Sequence, residues 1–321
     1  MYERLLRGLP VKALRAVPLV VLPGIACIGY RALCSLKTKT PEPTPAACCT
    51  PTSHGKAAAE GGAHSFVTIP HSEESFECYV ARPPEGQPAR GVVLVVHDIF
   101  GLRSGRHLQI CDELASAGFV AACPDLFGDG AERAASFDPD WNAGRFAQLS
   151  YMLWNFGWMM EAFKLGKQLE EVIAPKLRAT LSHCAGAHQE PQKLDSCAAV
   201  GFCWGGSVVA RLLSESQAAK LPLRLTTGVG FHPSHRGWDA ADVAYPLLLA
   251  PAGDDQATVQ PGGKIAQPLI DRFGAAANVP FPDMRHGWMT RGPLDDGAVA
   301  RDYRRGMELM ISWLGESMPE K

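Results

Sequence analysis

The chain has 321 residues, of which 46% are apolar and 20% charged, a composition that supports a sizeable core and does not fit a disordered or fibrous protein. Its net charge of −2 is unevenly spread: residues 1–40 hold seven Lys/Arg and one acid, leaving 24 basic and 32 acidic residues beyond them. A mildly acidic body argues against a nucleic-acid partner.

The first segment is basic and then apolar. Arg4, Arg7, Lys12 and Arg15 precede the run Ala16 to Tyr30, which Arg31 ends. That run is short for a spanning helix of about 20 residues but suits a signal or anchor. Residues 1–37 are therefore expected to be a targeting or membrane-anchor leader, with membrane association through them. Residues 38–64, rich in Pro, Thr, Ala and Gly, read as a disordered linker, and residues 65–321 as one folded domain. Ten cysteines without C-x-x-C spacing point to mostly reduced thiols in a reducing compartment. No zinc pattern or cofactor fingerprint appears. His232 and His235, three apart in a Pro-containing loop, read as surface residues rather than metal ligands.

Within the domain, Ser65–Ile69 and Phe76–Ala81 alternate apolar and polar residues and predict an antiparallel hairpin. Val92–Val96 is a continuous apolar run, as in a strand buried on both faces. It leads into His97-Asp98-Ile99-Phe100-Gly101, at a strand's carboxyl end, where ligand sites of open α/β sheets lie. Leu108, Cys111, Leu114 and Ala115 share a helical face, and Phe119–Cys123 is the next strand. Residues 138–165 concentrate aromatics, either for helix packing or as an apolar wall over a site.

Ala198 to Val200 then enter Gly201-Phe202-Cys203-Trp204-Gly205-Gly206, and a helix-compatible run leaves it. This is the strand–turn–helix grammar of a nucleophile elbow, with cysteine where serine is usual. The flanking glycines let strand and helix approach closely around a strained residue. The start of the helix favours the thiolate of Cys203. Two more strands, Leu225–Phe231 and Tyr245–Pro251, follow, the second ending in Gly253-Asp254-Asp255. A helix at Ile265–Phe273, a short strand at Val279–Phe281 and a final helix with Tyr303, Met307, Ile311 and Leu314 on one face complete the chain. Arg285-His286-Gly287-Trp288 lies before that last helix.

Alternating strands and helices predict an α/β fold with a mainly parallel central sheet and helices on both faces. The order Cys203, Asp254 or Asp255, His286 is that of α/β-hydrolases. The N–H groups of Ile99 and Trp204 would form the oxyanion hole.

At these residues the sequence resembles the dienelactone hydrolase family. Gly-Phe-Cys-Trp-Gly-Gly at 201–206, His-Asp-Ile-Phe-Gly at 97–101, Cys-Pro-Asp-Leu at 123–126 and His-Gly-Trp at 286–288 carry the likeness. It implies a single α/β-hydrolase domain without metal or cofactor, and hydrolysis of small lactones or activated esters. It also implies a Cys203–His286–Asp255 triad, with Asp254 as the alternative acid. Bacterial members carry Glu at the position of Asp98, in contact with the resting thiol, so Asp98 is the expected thiol partner. Arg291, and more weakly Arg145, would bind the carboxylate of an anionic substrate. A catalytically silent binding protein of this fold, or a thiol-based acyl-transfer or redox enzyme, are the other readings open at this point.

Overall fold

A computed structural model describes residues 62–71, 74–128, 168–186 and 194–318. The proposed leader, nearly all of the proposed linker, and the aromatic segment with Arg145 lie outside the described residues. Among the described residues, no helix is long and apolar enough to cross a membrane.

Seven strands form one sheet in the order β1-β2-β4-β3-β5-β6-β7. β1 (Gly62–His71) and β2 (Glu74–Pro84) are antiparallel, with Ile69 opposite Phe76, so the hairpin expected from alternation is present. β1 begins three residues before the boundary read from the sequence. β2 then pairs antiparallel with β4 (Val120–Pro124). From β4 onward every pairing is parallel, through β3 (Val92–Val96), β5 (Ser196–Phe202), β6 (Arg224–Phe231) and β7 (Leu247–Ala250). Parallel pairing needs crossover connections, and these place helices on both faces.

The period-two alternation of strand side chains builds two cores. Val92, Leu94 and Val96 face α2 (Ala174–Gly186) and α3 (Trp204–Leu212), in a core that α5 (Ala266–Phe273) extends over β7. Val93 and Val95 face α1 (His107–Ser116) and α7 (Gly297–Ser317). All five β3 side chains are fully buried, and each such valine or leucine contributes about 1.5–3 kcal/mol. Two short helices, α4 (Glu215–Ala218) and α6 (Trp288–Arg291), complete the described set. α7 starts where the Asp296 carboxylate accepts from Ala298 N and Val299 N, an N-cap that satisfies two orphan donors. Its buried face uses Met310, with Ile311 at the margin. The short strand expected at 279–281 appears only as isolated parallel bridges, Leu249 with Asn278 and Ala252 with Phe281.

Candidate active site

β5 ends at Phe202 and α3 begins at Trp204, so Cys203 alone makes the turn, with φ 53° and ψ −115°. A non-glycine residue at positive φ is strained by about 1–3 kcal/mol and persists only where its surroundings hold it. The flanking residues show why only glycine fits. A Cβ on Gly201 would lie 2.2 Å from Gly205 O, and one on Gly205 would lie 2.3 Å from Val96 O. Cys203 N donates to Phe231 O at 3.1 Å. The sulfur therefore stands at the mouth of the parallel sheet, over the start of α3.

The loop after β3 is held by two fully buried histidines. His97 Nδ1 donates to Asp98 O at 2.7 Å and its Nε2 accepts from Leu126 N at 3.2 Å. His107 Nδ1 donates to Ser104 O at 2.5 Å and its Nε2 accepts from Asp98 N at 3.2 Å. Burial lowers the pKa of both, that of His107 to about 4, so both are neutral and each ring can donate at one nitrogen and accept at the other. The loop they fix carries Ile99. Neither Ile99 N–H nor Trp204 N–H has a partner among the described residues. Trp204 is the first residue of its helix, where no intrahelical acceptor exists.

Asp98 is not placed as the thiol's hydrogen-bond partner. It is fully buried, and its Oδ1 accepts from Phe100 N at 2.9 Å and Ser104 Oγ at 3.0 Å. Its Oδ2 accepts from Thr290 Oγ1 at 3.3 Å and Arg291 Nη1 at 2.5 Å. A side chain one methylene shorter than Glu is thus fully used beside its own loop. It reaches Cys203 only through space, where its charge pushes the thiol pKa up. Burial raises the pKa of Asp98, but the Arg291 charge outweighs it and holds the carboxyl low. Arg291 is correspondingly committed: its side chain is 8% exposed, pairs with Asp98 and lies 4.1 Å over the Phe100 ring. The expectation that its fork faces a substrate carboxylate does not match this arrangement.

The histidine loop separates the two aspartates clearly. Asp255 Oδ1 meets His286 Nδ1 at 2.5 Å, and its Oδ2 accepts from Ala252 N at 2.7 Å. Asp254 Oδ1 instead accepts from the backbone N of His286 at 2.6 Å. One carboxylate orients the ring; the other anchors the loop. Cys203 and His286 act on each other electrostatically, each favouring the other's charged form. Burial raises the thiol pKa, but the His286 charge and hydrogen bond bring it below the ordinary value. Burial likewise opposes the imidazolium, and the Cys203 charge together with the Asp255 hydrogen bond raises His286 to about 10. An imidazolium beside a thiolate is the state these shifts favour. By contrast, burial pushes Cys78 and Cys123 upward and Cys197 up to about 12.

One segment departs from its sequence expectation. After β6, His232 takes φ 36° and is fully buried, not at the surface. Its ring lies 5.1 Å from that of His286, and neither of its nitrogens has a partner. Ser234 follows, with Oγ 3.6 Å from Cys203 Sγ. A polar tripeptide, His232-Pro233-Ser234, at the carboxyl end of a parallel strand was the available signal. His235 Nε2 pairs with Trp238 O at 3.1 Å, and the described residues hold no group of three or more potential metal ligands.

Comparison with known proteins places the chain among relatives of the same fold. The sequence profile of the dienelactone hydrolase family matches residues 76–318. The hydrolase TropI of Talaromyces stipitatus is 26% identical over 255 residues, 77% of this chain and 89% of that one. Carboxymethylenebutenolidase of Pseudomonas sp. strain P51 is 34% identical over 137 residues, 41% of this chain and 49% of that one. The acylaminoacyl peptidase of Pyrococcus horikoshii is similar in fold, with a TM-score of 0.51 and 12% identity over 82% of this chain and 43% of that one.

Proposed function

The chain belongs to the dienelactone hydrolase family and is a hydrolase of small lactones or esters, and from that premise we propose that it works through an acyl-thioester on Cys203. The observation that carries the proposal is one ring under two carriers of charge. His286 Nδ1 is held by a nearly buried Asp255 at 2.5 Å, while the charge of Cys203 raises the pKa of His286 and the charge of His286 lowers that of Cys203.

The thiolate of Cys203 attacks the substrate carbonyl carbon, forming a C–S bond, and the carbonyl oxygen becomes an oxyanion. The N–H groups of Ile99 and Trp204 receive that charge, each such donor being worth about 3 kcal/mol. Collapse breaks the acyl C–O bond, and the proton on His286 passes to the departing oxygen. A water molecule then gives its proton to His286 and adds its oxygen to the thioester carbon. The second collapse expels the thiolate and releases the carboxylic acid. Asp255 holds the ring in the tautomer and orientation both steps need; Asp254 secures the loop. A thiolate leaves readily, so acylation succeeds only against a leaving group of comparable quality. Enol esters, aryl esters, strained lactones and thioesters meet that condition; amides do not.

The test is to expose the protein to an aryl ester, a lactone and a thioester, quench in acid, and map mass additions. An acyl adduct on the Cys203 peptide, lost on standing with hydroxylamine, is expected, and Cys203→Ala should abolish turnover of all three. Turnover that survives Cys203→Ala would sink the thioester route. A protein that acylates but releases nothing would fit acyl transfer to a second acceptor instead.

A further inference from the structure

We propose that Ser234 is a catalytic hydrogen-bond donor: its hydroxyl solvates the Cys203 thiolate as it forms and each time it leaves. The proposal rests on the reading of Cys203 as the nucleophile and adds a residue to that site.

The backbone around Ser234 is fixed at every other polar atom. Its N–H donates to Cys203 O at 3.0 Å, which ties the segment to the elbow. Its carbonyl accepts from Ser207 Oγ, one turn into α3, and from Trp238 Nε1 at 3.4 Å. Two residues earlier, His232 N donates to Ala250 O of β7 at 2.9 Å. Pro233 packs so closely on α3 that a Cβ on Gly206 would lie 2.9 Å from its own. The positive φ of His232 turns the chain off β6 and back over the elbow, a strain that the surrounding contacts sustain. With N–H and C=O occupied, the hydroxyl is the polar group left to act, and Cys203 Sγ at 3.6 Å is its hydrogen-bond partner.

That placement has a chemical use in both half-reactions. A hydroxyl both donates and accepts, so it can take a hydrogen bond from the resting thiol and give one to the thiolate. Hydrogen bonds to an ion are about twice as strong as neutral ones, so the interaction favours the charged form. In acylation it adds to the thiolate population. In deacylation it stabilises the sulfur as leaving group, when the tetrahedral adduct of water and thioester collapses. The other charged groups facing the sulfur are His286 from the histidine loop, Asp98 from the loop after β3, and Arg291 from α6. His286 and Arg291 lower the thiol pKa and Asp98 raises it. The N-terminal end of α3 adds a positive dipole. Ser234 is a neutral donor among these, and its contribution is separable because removing it changes no charge.

The experiment follows the rate of Cys203 alkylation by iodoacetamide against pH, read by mass spectrometry of the Cys203 peptide in the full chain. Ser234→Ala, and the near-isosteric pair Ser234→Thr and Ser234→Val, are compared with the parent. The Ala and Val variants should titrate about one pH unit higher, a tenfold loss of thiolate at fixed acidic pH. Ser234→Thr should stay with the parent. Steady-state turnover of an aryl ester should fall in Ala and Val and hold in Thr. Should Ser234→Ala fail to fold, the Thr and Val pair alone decides, since the two differ only in the hydroxyl. Identical profiles for Thr and Val would overturn the proposal. Alkylation needs no turnover, so the two readings fail separately. A Cys203 that shifts in Ser234→Val yet cleaves no ester supports the hydroxyl and overturns the hydrolytic route. An active hydrolase whose profile ignores Ser234 does the reverse.

Discussion

Removing the Arg291 side chain should unseat the fold before it alters selectivity. Asp98 is fully buried with a carboxylate that Arg291 Nη1 meets at 2.5 Å, and its remaining donors, Phe100 N, Ser104 Oγ and Thr290 Oγ1, are neutral. Breaking a buried ion pair from one side costs about 3–5 kcal/mol, because the other charge is left without compensation. For a domain of this size that is a fall in Tm on the order of 10 °C. The pH dependence has a definite sign. In the parent, the Asp98 pKa is held below its unfolded value, chiefly because the Arg291 charge overcomes the burial that would raise it. Its stabilisation is therefore present above the unfolded carboxyl pKa of about 3.9 and is lost as pH falls through the folded value. In Arg291→Ala burial dominates and the carboxyl titrates above its unfolded value. The deficit is then largest at neutral pH and shrinks on acidification, as Asp98 takes up a proton.

Thermal and urea unfolding of parent and variant between pH 4.5 and 7.5 would measure this directly. A double variant, Asp98→Asn with Arg291→Met, keeps an acceptor for Phe100 N and Ser104 Oγ while deleting both charges. It should recover most of the lost stability, since replacing a whole buried pair is often neutral. Kinetics on a matched pair of esters, one bearing a remote carboxylate, should fall equally for both. An Arg291→Ala protein within a degree of the parent in Tm, with a selective loss on the anionic ester, would refute the reasoning. It would make the guanidinium a substrate clamp.

The other predictions concern the elbow and the histidine loop. Asp255→Asn should lower kcat/KM by about 10³–10⁴, as loss of the orienting carboxylate does in comparable triads. Asp254→Asn, which weakens only an anchor of the His286 backbone, should cost far less; equal losses on a lactone assay would dissolve the distinction between them. Brief alkylation at neutral pH should label Cys203 ahead of Cys78, Cys123 and Cys197, whose thiols burial pushes upward, and the Cys203 rate should titrate below the free-cysteine value of about 8.5. Gly205→Ala should give inactive or misfolded protein, because the added Cβ would sit 2.3 Å from Val96 O and 2.6 Å from His97 O; a well-folded, active variant by circular dichroism and ester turnover would contradict the packing argument.

Features confined to short stretches of chain were legible in advance. Gly201 and Gly205 announce the elbow because their steric job is done within five residues. The apolar run at Val92–Val96 announces a central strand because burial on both faces leaves no polar positions. The order of cysteine, aspartate and histidine marked the candidate members of the site. Pairings across the sheet were not legible. Asp98 and Arg291 are 193 positions apart, and nothing local in either segment marks the other as its partner. His107 is only nine positions from Asp98, yet no sequence pattern marks its ring as the acceptor for Asp98 N. Asp254 and Asp255 are adjacent, and only the path of the loop decides which one faces the ring. His232 was misplaced because a histidine beside proline reads as a turn at the surface, whereas here the turn is folded under the histidine loop.

The distribution of charge around Cys203 bears on what the site selects. Asp98 and Arg291 meet at contact distance and are nearly excluded from solvent, so their opposing effects on the thiol largely offset each other. On the proposed reading, the thiolate is then favoured by His286, backed by Asp255, together with the start of α3 and the Ser234 hydroxyl. The cation expected to recognise an acidic substrate is spent on joining the loop after β3 to the histidine loop. Arg106 reinforces that joint, donating from Nη1 to Gly292 O at 2.7 Å and from Nη2 to Trp288 O at 3.0 Å. The two loops that carry Ile99 and His286 are thus fixed relative to each other by buried polar contacts. Rigidity of this kind serves transition-state stabilisation, because donors already in place need no reorganisation when the oxyanion forms. Recognition by charge would need a free partner in the same place. On the thioester route proposed above, with Arg291 committed, discrimination among the described residues falls to the chemistry of the acyl group itself: how good its leaving group is against a thiolate, and whether its carbonyl oxygen reaches the proposed donors, the N–H groups of Ile99 and Trp204.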